Sequence, residues 1–488
     1  VDRPAWTPAL VSLAVLSVLL LWFPLLRATA PSAIAYNEGW NTYWQETTAA
    51  GQPLFGEPPS WTIENYPPLS FHFIGLLGRF TGNTNLAGRA VALASFGCVC
   101  LLAGMIASRV ARTGVAGWYA ALCLPVWMGS FAPDRIAMND PQWLGMVPEL
   151  LGFFIYFRWP RARPALCLSA TLFALSVFTK QNLISCPLSV GVAIVTTRDW
   201  KGLCVWSAAG LLTAGLLFGA TVGLDGGYFF DHLLRPRAAD YAHGSDTDIG
   251  YLVLFAPSII LSLFWVGGLI GRQRSRLIAI NWIVANCIGL TLAVGHGVAS
   301  NILFEAIVFT AIIVPIASQA LIDRLTSRDR FTGAGILVLC AVWISLLIPS
   351  MLTYGSNARK KLLSLEPERL AGVELLRSLP GPAWCEDLLM CHAAGKAMIF
   401  DAYFVQDQIE TGKLPECDIL KQIIAQRPVA IEIGAPPDRK PPSPDARLRF
   451  TSRFMQTLLR HYAPRLRARD FTILTPISGD MNDDGTCQ

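Results

Sequence analysis

The chain has 488 residues, 53% of them hydrophobic and 15% charged, with a positive mean hydropathy. So apolar a composition excludes an ordinary soluble domain or a disordered chain and indicates an integral membrane protein. The net charge of +5 sits largely in short arginine-bearing loops, so it makes no case for nucleic acid as a partner.

In chain order, apolar stretches of spanning length fall at roughly 8–26, 86–107, 114–132, 141–157, 164–179, 181–197, 203–223, 249–270, 277–294, 301–320 and 332–352, about eleven in all. No small-residue cleavage pattern follows the first, which reads as a retained span. The first outer loop, about 27–85, carries Trp40, Tyr43 and Trp44 at helical spacing, then Trp61 and an apolar stretch at 69–80 too short to cross. Both pieces are expected to be helices lying in the interface plane. A second outer loop, about 224–248, holds Phe229, Phe230, His232, Arg235, Arg237 and Tyr241 and reads as a juxtamembrane helix or a flap. Beyond about 353 the apolar pattern stops. The tail reads as a helix at 367–379, strands at 383–387 and 429–433, a proline-rich loop at 436–444, a basic helix at 452–462 and a strand at 471–474. The expectation is a polytopic α-helical membrane module, 1–353, followed by a small extracytoplasmic α/β domain, 354–488.

Basic residues set the orientation. Arg3, then Arg109 and Arg112, Arg158, Arg161 and Arg163, Arg198 and Lys201, Arg272, Arg274 and Arg276, and Arg324, Arg328 and Arg330 occupy alternate loops, which predicts those loops to be cytoplasmic. The opposite loops carry Asn37-Glu38, Tyr66-Pro67-Pro68, Asp134-Arg135 with Asp140, Thr179-Lys180-Gln181-Asn182, and Asn301 with Glu305. The polar signatures therefore share one rim, facing the exterior or periplasm. Of twelve cysteines, eight lie in spans, where a small apolar residue is the plain reading. Cys385, Cys391, Cys417 and Cys487 all lie in the tail, an even number that predicts one or two disulfides. No CxxC or histidine-rich spacing argues for zinc.

Each rim residue has a functional and a plain role. Glu38 suits a general base toward a hydroxyl nucleophile, or simply an acid in the first turn of a helix. Asp140 precedes Pro141, the pattern of a helix N-cap, and Asp134 with Arg135 reads as a local ion pair. Three charges in one short loop beside apolar spans are nevertheless more than solubility requires. Lys180 either snorkels to water or, with Thr179, Gln181 and Asn182, supplies the donors an anionic phosphate needs. Arg89, opening the second span, adds charge to the same rim. Glu305 lies just inside a span after His296, Ser300 and Asn301; an acid there is a functional candidate, with a structural role near the interface as the alternative.

Taken in order, these residues resemble the GT-C superfamily of polyprenyl-phosphate-sugar glycosyltransferases, in particular its family 39, aminoarabinose-transferase-like and protein O-mannosyltransferase-like members. The matching pieces are Asn37-Glu38, Tyr66-Pro67-Pro68-Leu69, Gly88-Arg89, the run from Arg135 through Asn139 to Pro141, and Thr179-Lys180. The likeness is clear over the first two hundred residues and looser through Asn301 and Glu305. Asn37 stands where the family usually has a first acid, and Tyr66 where a lysine is common. The resemblance implies sugar transfer from a polyprenyl-phosphate donor to a glycolipid, polysaccharide or protein, with inversion. Glu38 would be the base and Asp140 its helper, while Lys180, Arg89 and Arg135 would neutralise the departing phosphate. Asn37, Tyr66, Asp134, Gln181, Asn182, His296, Asn301 and Glu305 would line the substrate site. No cofactor is expected to be required, since the metal ligands of some relatives are not evident. The implied setting is a bacterial inner membrane, with the site and tail on the periplasmic side. Rival readings are a lipid-linked glycan ligase, a transporter or flippase, and a non-catalytic scaffold; polar groups at a rim rather than the midplane, without an internal repeat, count against transport.

Overall fold

An apolar run in lipid satisfies its backbone by forming a helix, and helices dominate the computed structural model. It describes residues 7–57, 61–234, 241–267, 273–295, 298–324, 348–434 and 452–477. Outside them lie His296, Arg3, Arg235, Arg237, Arg272, Arg328, Arg330, Cys340, Cys487, most of the expected span 332–352 and the proline-rich loop 436–444.

The helices are α1 (Thr7–Ala28), α2 (Tyr36–Ala49), α3 (Leu69–Thr81), α4 (Thr84–Ala111), α5 (Gly114–Phe131), α6 (Pro133–Ile136), α7 (Pro141–Arg158), α8 (Arg163–Thr179), α9 (Ser185–Thr196), α10 (Trp200–Asp225), α11 (Phe229–Leu233), α12 (Tyr241–Gly267), α13 (Gln273–Leu292) and α14 (Phe304–Arg324). Among the described residues seven helical stretches are long and apolar enough to cross a membrane, falling in α1, α4, α5, α10, α12, α13 and α14; α8 and α9 are shorter apolar helices. The protein is an integral membrane protein.

The chain divides into two compact units. The first comprises residues 1–29, 66–224 and 239–356; the second comprises 30–65, 225–238 and 357–488. The two outer loops thus contribute to the same unit as the tail.

In the first unit α14 is buried along nearly its whole length and packs against α4, α5, α12 and α13. Alternating termini make α7 and α8 an antiparallel hairpin, held by Ser176 Oγ donating to the Gly145 carbonyl at 2.8 Å. The α4–α5 pair meets backbone to backbone: a Cβ on Gly104 would lie 2.8 Å from the Gly117 carbonyl oxygen. Small residues permit such approach where lipid offers no hydrophobic drive for association.

The second unit contains a four-stranded sheet in the order β1-β2-β4-β3, from β1 (Ala383–Cys385), β2 (Ala430–Ile433), β3 (Tyr462–Arg467) and β4 (Thr472–Pro476). β1 and β2 are parallel, and β4 runs antiparallel to both its neighbours. Trp384, Phe400, Ile431, Phe454 and Leu474 form its core. The strands at 383–387, 429–433 and 471–474 and the helix at 452–462 appear close to where the residue pattern puts them. The helix expected at 367–379 is the end of a longer one, Ile348–Ser378, which runs through Pro367. β3 was not anticipated, because Pro464 and Arg465 mask a strand whose burial alternates along a sheet edge.

Trp40 and Trp44 of α2 are buried in protein. α2 packs on the helix Leu388–Ala393, Trp40 Nε1 donates to the Ile63 carbonyl at 3.0 Å, and Tyr43 Oη donates to the Lys396 carbonyl at 2.5 Å. Cys385 and Cys391 form a disulfide at one edge of the sheet, and Cys417 is also disulfide-bonded.

Candidate active site

Antiparallel packing of α7 and α8 brings the start of one helix beside the end of the other. Asp140 is the N-cap of α7, its Oδ1 accepting the Gln142 N–H at 2.9 Å with Pro141 at the first helical position. Lys180 is the C-cap of α8 in extended conformation. Their side chains meet: Lys180 Nζ donates to Asp140 Oδ1 at 2.7 Å, with both residues buried. Each charge sits at the helix end whose dipole favours it. Burial alone would raise the Asp140 pKa, but Lys180 and the Gln142 N–H outweigh it and hold the carboxyl below its ordinary value.

Further polar groups lie on and beyond the pair. The Tyr66 ring lies under the ammonium, with Nζ 4.7 Å from its centroid, a cation–π arrangement. Asn301, just before α14, directs Nδ2 to both Asp140 oxygens at 3.5 and 3.4 Å. Gln142 accepts from Asn182 Nδ2 at 3.5 Å. Asn139, fully buried, donates to Asn85 of α4 at 3.4 Å, and it fits only because residue 88 is glycine: a Cβ there would lie 2.0 Å from Asn139 Oδ1. Gln142 was missed from sequence, and Asn139 was read only as part of the Arg135–Pro141 run, since an amide beside Asp-Pro looks like loop chemistry until its partner on another helix is known.

The other candidates take separate positions. Arg89 is buried, and its Nη1 donates to the Ala28 carbonyl at 3.2 Å, closing the C-terminus of α1. Asp134 accepts from Tyr354 Oη at 2.9 Å, and Arg135 approaches the Met138 sulfur while its carbonyl accepts from Trp143. Gln181 is half-buried next to Lys180. Glu305 turns to Ser185, whose Oγ donates to it, within a group containing Glu149 and Cys186. His296 is outside the described residues. In the second unit Glu38 is fully buried in the first turn of α2, its Oε2 accepting the Ile34 N–H at 2.6 Å, and Asn37 is half-buried beside it.

Two comparisons of structure decide the architecture. A structure of ArnT from Cupriavidus metallidurans bound to undecaprenyl phosphate is similar with a TM-score of 0.62 at 13% identity, covering 97% of this chain and 99% of that one. Its apo form gives 0.61 at 14% identity, with 98% and 99% covered. The chain shares the fold of these ArnT structures. An Archaeoglobus fulgidus oligosaccharyltransferase tethered to an acceptor peptide with an NVT sequon is more distantly similar, with a TM-score of 0.51 at 11% identity over 88% of this chain and 69% of that one. No family model and no curated protein sequence matches the chain. The fold is thus shared along nearly the whole of both chains at an identity of only 13–14%.

Proposed function

We propose that the protein is a membrane glycosyltransferase that moves a sugar from a polyprenyl-phosphate carrier to a glycan, lipid or protein acceptor at the non-cytoplasmic face. The observation that carries this reading is the buried Lys180–Asp140 pair, flanked by Tyr66 and Asn301, on a fold shared with an ArnT that binds undecaprenyl phosphate. An ammonium fixed in a poorly hydrated rim is suited to charge that grows on a leaving phosphate. The reaction is written as direct displacement. The acceptor oxygen bonds the anomeric carbon, the bond from that carbon to the phosphate oxygen breaks, and the acceptor proton passes to Glu38. Lys180 neutralises the polyprenyl phosphate that leaves. Asp140 keeps Lys180 oriented and supports positive charge on the sugar ring. With cations supplied by side chains, the transfer step needs no metal or other cofactor.

The test is transfer of radiolabelled sugar from a panel of polyprenyl-phosphate sugars by purified protein in nanodiscs. Lys180→Ala and Glu38→Gln are expected to lower turnover about 10²–10³-fold, the scale of losing one fixed charge-stabilising group. Thermal melts of each variant separate this loss from misfolding. Unchanged transfer in both folded variants would end the assignment of roles.

A further inference from the structure

Inside the first unit, apart from the Asp140–Lys180 pair, three helices bring together side chains that the transfer chemistry does not use. Glu149 projects from α7, Cys186 from the first turn of α9 and Glu305 from the first turn of α14, all within 2% of full burial. One carboxylate oxygen from each acid and the Cys186 Sγ lie within 4.8 Å of one another. Ser185 Oγ donates to Glu305, and the Cys186 N–H reaches Glu149 Oε1 at 3.4 Å. Asn281 of α13 sets its amide against the group, Nδ2 being 3.4 Å from Ser185 Oγ. Two buried atoms here have no hydrogen-bond partner among the described residues: Glu149 Oε2 and Asn281 Oδ1.

Two carboxyls and a thiol in a dry interior, supplied with only weak neutral donors, can carry charge only beside compensating positive charge. We infer that Glu149, Cys186 and Glu305 form a divalent transition-metal site, with zinc the best match, that fastens α7, α9 and α14 together. A thiolate with carboxylates suits zinc better than magnesium or calcium, which take oxygen alone. Ligands of a tetrahedral zinc lie roughly 3.3–3.5 Å apart, so the donors close on an ion by modest side-chain rotation. Binding exchanges one divalent cation for the thiol proton and any proton shared by the acids, so uptake releases acid. The alternative occupant of the same space is a proton held between Glu149 and Glu305.

The experiment reads metal, not transfer. Full-length protein purified in detergent without chelator, then incubated with Zn²⁺ and desalted, is expected to retain one zinc per chain by elemental analysis. Co²⁺ loading is expected to give a thiolate-to-cobalt charge-transfer band. Cys186→Ser should abolish the band, and Glu149→Gln should lower retained metal several-fold. The band in wild-type protein keeps the test decisive even where a variant fails to fold. No stoichiometric zinc and no cobalt band in folded wild-type protein would overturn the site. So would metal retained undiminished in both variants, or metal-free protein whose infrared spectrum shows a protonated carboxyl that Glu149→Gln removes and Zn²⁺ leaves untouched.

Discussion

At Glu432 a single side chain couples the tail to pH. It lies on β2, 1% exposed, with Oε2 accepting the Asp387 N–H at 2.8 Å. Burial first, then the charges of Asp387 and Glu386, push its pKa up to about 8 from 4.5. Between those values the native protein keeps a proton that the unfolded chain has lost, so stability falls as pH rises through the window. Glu432→Gln keeps the acceptor and removes the titration. Its melting temperature is expected to vary less over this window than that of wild type; parallel profiles would disprove the linkage. None of this was legible in the residues Ala430 to Gly434, which read only as a short strand, because the interacting acids are 45 positions away. The Lys180–Asp140 contact was half legible. Both residues were placed on one rim, but a separation of 40 positions hid the fact that they touch.

Among elements, the clearest prediction concerns α2. Gly39 meets the helix Leu388–Ala393 so closely that a Cβ would lie 2.4 Å from the Leu389 nitrogen and 2.7 Å from Leu388 Cβ. Backbone cannot step aside as a flexible side chain can. Gly39→Ala is expected to cost about 1–3 kcal/mol of stability, the range for overpacking, read as a lower melting temperature and faster proteolysis of the tail. Gly97→Ala is the control, being mid-helix in α4 with nothing within 4 Å of the added carbon, and is expected to be neutral or slightly stabilising. Equal melts for the two variants would show that the contact is loose. The aromatic spacing of α2 was enough to read a helix but not its partner. Trp40, Tyr43 and Trp44 look the same from sequence whether they meet headgroups or a protein surface, and the partner lies some 350 residues later.

For the molecule as a whole, the order of apolar segments and rim motifs carried the architecture. Hydrophobic length and basic loops are strong signals because lipid leaves the backbone few choices. The grouping of residues 30–65 and 225–238 with the tail was not readable, since it depends on contacts between segments hundreds of positions apart. The proposal that the tail lies outside the cytoplasm rests on the arginine-bearing loops, and the Cys385–Cys391 disulfide suits an oxidising compartment. An alkaline phosphatase fused after the tail, or inserted beside Asn301, is expected to be active outside the cytoplasm. The same reporter at the Arg161 loop should be inactive. Activity at the Arg161 loop and silence at the other two would invert the topology.

A cation already matched by its own carboxylate exerts little pull on whatever drifts past. Free phosphate or nucleotide, dilute in the surrounding fluid, gains almost nothing by prising Lys180 from Asp140, and such a buried couple is poorly screened by salt. A headgroup tethered by its own chain to the same leaflet arrives at a far higher local concentration. On the proposed function, the neutral resting couple would favour anchored anions over soluble ones.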